Sequence, residues 1–174
     1  MRIFYEEMKE TLQSILVKNG FDEKRAEESA KNFADSSLDG VYSHGYQRFP
    51  RVIDYIHKGY IDVKALPEKI AGFGAVERWD GHLGMGNLNA KMAMDRALAL
   101  AEQSGIGLVA MSNTNHWMRG GAYGWQAADA GYIGICWTNT CPNMPAWGAV
   151  DGRIGNNPFV LAVPDENGNH VVVD

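Results

Sequence analysis

Gly105-Ile106-Gly107-Leu108-Val109-Ala110-Met111 decides how this chain folds. The run from Ile106 to Met111 is continuously apolar and follows a glycine break, which predicts a buried β-strand. Just upstream, residues 87–103 carry Met92, Met94, Ala97, Leu98 and Ala101 along a helix, with Asn87 as its N-cap. Downstream, Gly121 to Ala130 reads as a short helix and Tyr132 to Trp137 as another buried strand. Two more strands are expected over 159–163 and 170–174, joined by the turn Pro164-Asp165-Glu166-Asn167-Gly168-Asn169. Strand and helix alternate through this stretch, so the fold class is α/β.

The first 60 residues differ. Met8, Leu12, Ile15 and Leu16 recur at helical spacing, and Gly20 stops the helix. Asp22 caps a second helix running to about Leu38, with Ala26, Ala30, Phe33 and Ala34 on one face, and Asp39-Gly40 ends it. Residues 41–48 read as a loop or the irregular start of a third helix. Pro50 suits that helix's first turn, and Val52, Ile53 and Ile56 carry it to about His57. Ile70 to Asp80 reads as short strands and turns.

Bulk composition narrows the functional classes. The chain has 174 residues, enough for one domain or one and a half. Its net charge is −5 and it has no basic stripe, which argues against nucleic-acid binding. No apolar run approaches the roughly 18 residues of a membrane span. Met1 to Glu7 lacks the apolar core of a secretory signal. Two cysteines, Cys136 and Cys141, are too few for a disulfide framework, so a reduced, cytoplasmic setting is expected.

Two polar loops carry the candidate chemistry. Ser43-His44-Gly45-Tyr46-Gln47-Arg48 sets a hydroxyl, an imidazole and a guanidinium around a glycine. An imidazole can pass a proton near neutral pH, and a guanidinium fork matches a carboxylate bidentately. Taken one by one these residues also have plain roles: a surface histidine, a helix-capping serine, and arginines on a solvated face with Asp54 in reach. The second loop, Asn113-Thr114-Asn115-His116-Trp117-Met118-Arg119-Gly120-Gly121, follows a predicted strand, where α/β proteins bind ligands. Gly120-Gly121 opens a helix whose free amides favour an anion. His116 is equally readable as a loop histidine stacked on Trp117.

Other motifs are weaker. Gly84-Met85-Gly86 is a poor match to a dinucleotide fingerprint, because Trp79 to His82 does not read as a buried strand, so it is taken as a helix entry. His57, His82 and His170 do not reach metal-ligand spacing, so no metal site is expected. Trp137 to Thr140, Pro145 to Gly148 and Arg153 to Pro158 are polar-aromatic loops that suit either a flat heterocycle or interface packing.

Together these loops resemble the malate/L-lactate dehydrogenase family that lacks the ordinary Rossmann fold. The resemblance is carried by Val41 to Gly45, Arg48-Phe49-Pro50-Arg51, Asn115 to Gly121, Tyr123 to Ala128 and Gly131 to Asn139. It implies an N-terminal helical substrate and dimer unit over 1–65, then over 66–174 the first part of a mixed α/β NAD-binding domain. It also implies reduction of a small 2-oxo acid by NADH, with NADPH as the alternative, in a homodimer. The resemblance assigns the proton donor to His44, or in the ureidoglycolate branch to His116. It gives the substrate carboxylate to Arg48 with Ser43 beside it. Cofactor contacts are expected at Gly120, Gly121, Thr140 and the strand His170-Val171-Val172-Val173-Asp174. Other 2-oxo or 2-hydroxy acids, a cyclic imino acid, or a non-catalytic binding or dimerising module are the competing readings.

The chain departs from the family at Gly155-Asn156-Asn157-Pro158, where Gly-Thr-Asn-Pro is common. It stops on an apolar strand while family members continue well beyond, so the expectation is the front part of a longer protein.

Overall fold

The computed structural model describes residues 2–174 as two compact units, with the chain passing from one to the other between Arg119 and Gly120. The helices expected over 1–65 share the first unit with everything up to Arg119, so packing divides the chain later than the division expected at 65/66 from the family resemblance.

The first unit opens with α1 (Tyr5–Lys18), α2 (Glu23–Leu38) and α3 (Phe49–His57). The Asp22 side chain accepts from the Arg25 N–H at 3.0 Å and starts α2 as expected. These helices bury one face each, in a core built on Leu12, Leu16, Phe21, Ala26, Ala30, Phe33, Phe49 and Val52. The Phe33 and Phe49 rings meet edge to face, 5.2 Å apart and at 89°. Fully burying a side chain such as Leu16 is worth about 1.5–3 kcal/mol, so this cluster is the main anchor of the helical part. The Tyr5 hydroxyl donates to Asp35 at 2.6 Å and ties α1 to α2.

Next come β1 (Glu68–Phe73) and β2 (Val76–Asp80), an antiparallel hairpin, then α4 (Gly86–Ser104) and β3 (Leu108–Ser112). β3 pairs with β2 in parallel, Val76 opposite Leu108 and Asp80 opposite Ser112, so β2-α4-β3 is a crossover unit. Glu77, on β2, is buried under α4. Arg96 grips it with two hydrogen bonds of 2.8 and 2.7 Å, and Lys69 and Trp79 add one each. These contacts hold its carboxyl far below the usual carboxylate range.

Three local expectations are corrected here. Asn87 is not the cap of α4: that place falls to Met85, and the Asn87 amide donates to Ser29 Oγ on α2 at 3.0 Å in the interior. A buried polar side chain needs a partner, and the neighbouring helix supplies it. β3 begins two residues later than the apolar run. At Gly107 the Ala97 carbonyl lies against the chain, and Ile106 faces solvent. Finally, β3 is half-exposed rather than buried.

The second unit packs α5 (Gly121–Asp129) on an antiparallel sheet of β4 (Gly134–Trp137), β7 (Phe159–Val163) and β8 (Val171–Val173), in the order β4-β7-β8. Tyr123, Ala127, Ala128, Cys136, Val160 and Ala162 form its interior. Gly124 lets α5 sit close, because a β-carbon there would meet Val160 and Ala162. β4 is shorter than expected and alternates: Gly134 and Cys136 are buried, Ile135 and Trp137 are exposed. Burial on one face only replaces the fully buried strand read from sequence. β5 (Met144–Pro145) and β6 (Gly152–Ile154) form a small antiparallel pair in a stretch read as loop.

Candidate functional site

The turn 43–48 is clamped to the end of α2. Ser37 Oγ accepts from the Tyr46 N–H at 2.9 Å and donates to the Phe33 carbonyl at 2.7 Å. Gly45 rests against Ser37 so closely that a β-carbon would collide with it. The tight turn fixes its neighbours. His44 Nδ1 lies 2.9 Å from Ser43 Oγ, and the Arg48 Nε donates to the Ser43 carbonyl at 3.4 Å.

The second loop leaves β3 and is held along its length. The Asn113 amide donates to Asp80 at 2.8 Å. The Asn115 amide spans the carbonyls of Tyr60, Leu83 and Gly84 at 3.0, 2.7 and 3.2 Å. Arg119 pairs with Asp39 at the end of α2. Gly86, first residue of α4, has the carbonyls of Asn115 and His116 packed where a side chain would stand. The glycine cluster Gly84-Met85-Gly86 is a helix entry, as expected, and the strand before it, β2, is only partly buried. The space it clears is filled by the chain's own loop. Met118 adopts a left-handed backbone (φ 66°) with its side chain buried in the helical core, which locks the loop next to His116.

These constraints bring His44 and His116 together, their ring centroids 5.7 Å apart with 40° between the planes. The Met118 N–H donates to His116 Nδ1 at 2.9 Å, so the neutral ring carries its proton on Nε2. Although His116 keeps exposed surface, the protein packed around its ring pushes its pKa down to about 4, helped by the positive charge of Arg48, by the neighbouring His44 and by Arg51. At pH 7 this imidazole is neutral and offers Nε2–H as a hydrogen-bond donor.

Ser43, Gln47, Arg48 and Arg51 line a cleft of about 230 Å³. Burial, then the proximity of Arg51, lowers the Arg48 guanidinium from its usual value, and it remains cationic at neutral pH. Sequence reasoning placed Ser43, His44, Arg48 and His116 as candidates and passed over Gln47 and Arg51. Their signal was available, because one helical turn separates Arg48 from Arg51.

The expected cofactor residues lie in the second unit. At the start of α5, the Gly121 N–H already has an anion, accepting from it at 3.0 Å: Asp174 Oδ2. Thr140 is tied to the departure from the family pattern. Its N–H donates to Asn157 and its hydroxyl to Asn156, each at 2.9 Å. The His170 ring is engaged at both nitrogens, by the Asp165 N–H at 2.9 Å and by Asp129 at 3.1 Å. β8 is an edge strand, with Val171 and Val173 exposed. Among the described residues no group of three or more His, Cys, Asp or Glu side chains could hold a metal ion.

Paired imidazoles and, in the neighbouring cleft, paired guanidiniums form a set of groups whose chemistry suits an anion. The family follows from comparison. The sequence profile of malate/L-lactate dehydrogenases matches residues 3–174, and the chain belongs to that family. It is 54% identical over 164 residues to the 2,3-diketo-L-gulonate reductase of Pasteurella multocida, covering 94% of this chain and 49% of the relative. The reductase of that name from Mannheimia succiniciproducens is 53% identical over the same span. The sulfolactate dehydrogenase of Methanocaldococcus jannaschii superposes with a TM-score of 0.94 at 34% identity, over 100% of this chain and 50% of that one. The chain thus spans about half the length of the curated relatives it matches.

Proposed function

We propose that this chain carries the substrate-holding and proton-transfer groups of a nicotinamide-dependent 2-oxo acid reductase that converts 2,3-diketo-L-gulonate to 3-keto-L-gulonate. One observation carries the reading: His44 and His116, from separate loops, stand 5.7 Å apart beside the Arg48 cleft. The names of relatives at 53–54% identity support the choice of substrate.

In this reading the substrate carboxylate lies on the Arg48 fork, with the Ser43 hydroxyl beside it. His116, neutral, aims Nε2–H at the carbonyl oxygen and polarises it. His44 gives a proton to that oxygen as negative charge develops. NADH is the proposed cofactor, NADPH the alternative, and when bound it supplies the hydride for the carbonyl carbon. Support for such a group in the second unit is the glycine pair that opens α5, where the Gly121 N–H already donates to a carboxylate oxygen, Asp174 Oδ2. Gly120, Gly121, Thr140 and the strand from His170 to Asp174 would hold it. His170 would contribute through its backbone, since its ring is engaged within the chain. The proposed assembly is a homodimer and the proposed setting the cytoplasm; no helix among the described residues is long and apolar enough to cross a membrane.

The test is NADH oxidation by the full-length protein with 2,3-diketo-L-gulonate. His44→Ala is expected to lower kcat by about 10²–10⁴-fold, the usual worth of a positioned proton donor. His116→Ala is expected to lower kcat as well. Full turnover by His44→Ala would remove its assignment as donor.

A further inference from the structure

The cleft that contains Arg48 holds a second guanidinium, which the reaction as proposed above does not use. Arg51 lines the same wall as Ser43, Gln47 and Arg48. Asp54, three residues along α3, is the neutralising partner that the sequence offers. In the structure Asp54 pairs instead with Lys58 at 2.8 Å. Among the described residues no ion pair reaches either Arg48 or Arg51, although the chain carries 21 acidic residues against 16 basic ones. Both arginines also sit at the start of α3, the end where the helix dipole disfavours positive charge. Arg51 is close enough to Arg48 and His116 for its charge to be felt at both. Arg48 is half-buried and Arg51 exposed, and two like charges held side by side on a cleft wall attract an anion or strong acceptors.

A simple 2-oxo acid has one carboxylate, and the Arg48 fork satisfies it. Arg51 is then left without a partner. We propose that Arg51, with Gln47 beside it, is a specificity residue that holds a second oxygen-acceptor group beyond the reacting ketone. The cleft then favours 2-oxo acids that carry a further carbonyl or carboxylate over those that end in an alkyl group. This inference rests on the reductase reading for its kinetic test, and on binding alone for a second test.

Kinetically, the full-length protein is assayed with pyruvate, which lacks the second acceptor, with oxaloacetate, which supplies a carboxylate, and with 2,3-diketo-L-gulonate, which supplies a carbonyl. Arg51→Gln is expected to lower kcat/KM by about tenfold or more for the acids with a second acceptor, mainly through KM, and by less than about twofold for pyruvate. Arg51→Lys is expected to recover part of the loss. A drop confined to oxaloacetate assigns Arg51 to a carboxylate, and a drop confined to the diketo acid assigns it to a carbonyl. Equal losses on all three acids, or no loss on any, would overturn the proposal. Titration calorimetry with tartronate, which has two carboxylates, against glycolate, which has one, reads the same residue without turnover. A preference for tartronate that disappears in Arg51→Gln supports the assignment even if no oxo acid is reduced, in which case only the reductase reading fails. No preference for tartronate in the unmodified protein, together with no selective loss on the diketo acid in Arg51→Gln, overturns the assignment.

Discussion

The backbone carbonyl of His116 occupies the place where a side chain on Gly86 would stand. The first residue of α4 and the histidine of a distant loop are thus packed backbone to backbone, and the position of the imidazole depends on an absent methyl group. Gly86→Ala must push the loop outward. The expected cost is about 1–3 kcal/mol, the usual range for overpacking, together with a loss of turnover. Thermal melts and the chemical shifts of the His116 ring check it. A variant that melts like the parent with an unchanged His116 spectrum would show that the loop has room to spare.

His116 should titrate well below an ordinary histidine. NMR titration is expected to place its midpoint at about 4, and to raise that midpoint in Arg48→Gln and in Arg51→Gln, since both charges depress it. The sign for stability follows. Between the ordinary value of 6.5 and the folded value of about 4, the unfolded chain binds more protons at this site than the folded one. Stability therefore falls as pH drops through that window. His116→Gln removes this contribution, so urea denaturation should find the variant less penalised by acid than the parent. Identical pH profiles for the two proteins would contradict the assignment.

Glu77 holds the sheet to α4, and Glu77→Gln leaves two cations facing a neutral amide. The expected loss is about 3 kcal/mol, the scale for breaking a buried ion pair. The Glu77 carboxyl has its pKa lowered from 4.5, so its contribution is present above that value and is lost as pH falls below it toward the folded value. Denaturant curves at pH 7 and at pH 3 should show the gap between parent and variant narrowing in acid. A gap below about 0.5 kcal/mol at pH 7 would mean that Lys69 and Arg96 turn to water without cost.

Ser37 is predicted to act on the site from behind it. Ser37→Ala removes the acceptor of the Tyr46 N–H and the donor to the Phe33 carbonyl. About 1 kcal/mol of stability should go with them, and the Tyr46 amide should exchange faster with solvent. Unchanged exchange at Tyr46 would show that the turn is held by Gly45 packing alone.

Much of the fold was readable because the rules behind it are local. Asp22 starts α2 and Gly20 and Gly40 follow the first two helices, all where residue type and spacing place them. The reading went wrong where a distant partner intervened. Asn87 looks like a cap by its position, but the buried Ser29 hydroxyl on α2 claims its amide. The strand expected from Ile106 starts at Leu108, because the Ala97 carbonyl of α4 lies against Gly107. Gly84 and Gly86 read correctly as a helix entry, but only the fold shows that the carbonyls of Asn115 and His116 pack against Gly86.

The sequence by itself determined the α/β order of elements, the helical start and the chemical contents of the two loops: hydroxyl, imidazoles and guanidiniums in short, recognisable runs. Tertiary structure alone decided that His44 and His116 face each other, that His116 is held neutral, and that Arg51 keeps its charge uncompensated while Asp54 turns to Lys58. The physical reason is range. Helix stops, caps and apolar periods are set by neighbours within a turn or two. The distance between two rings, and the field each one feels, are set by whatever the packed core brings alongside.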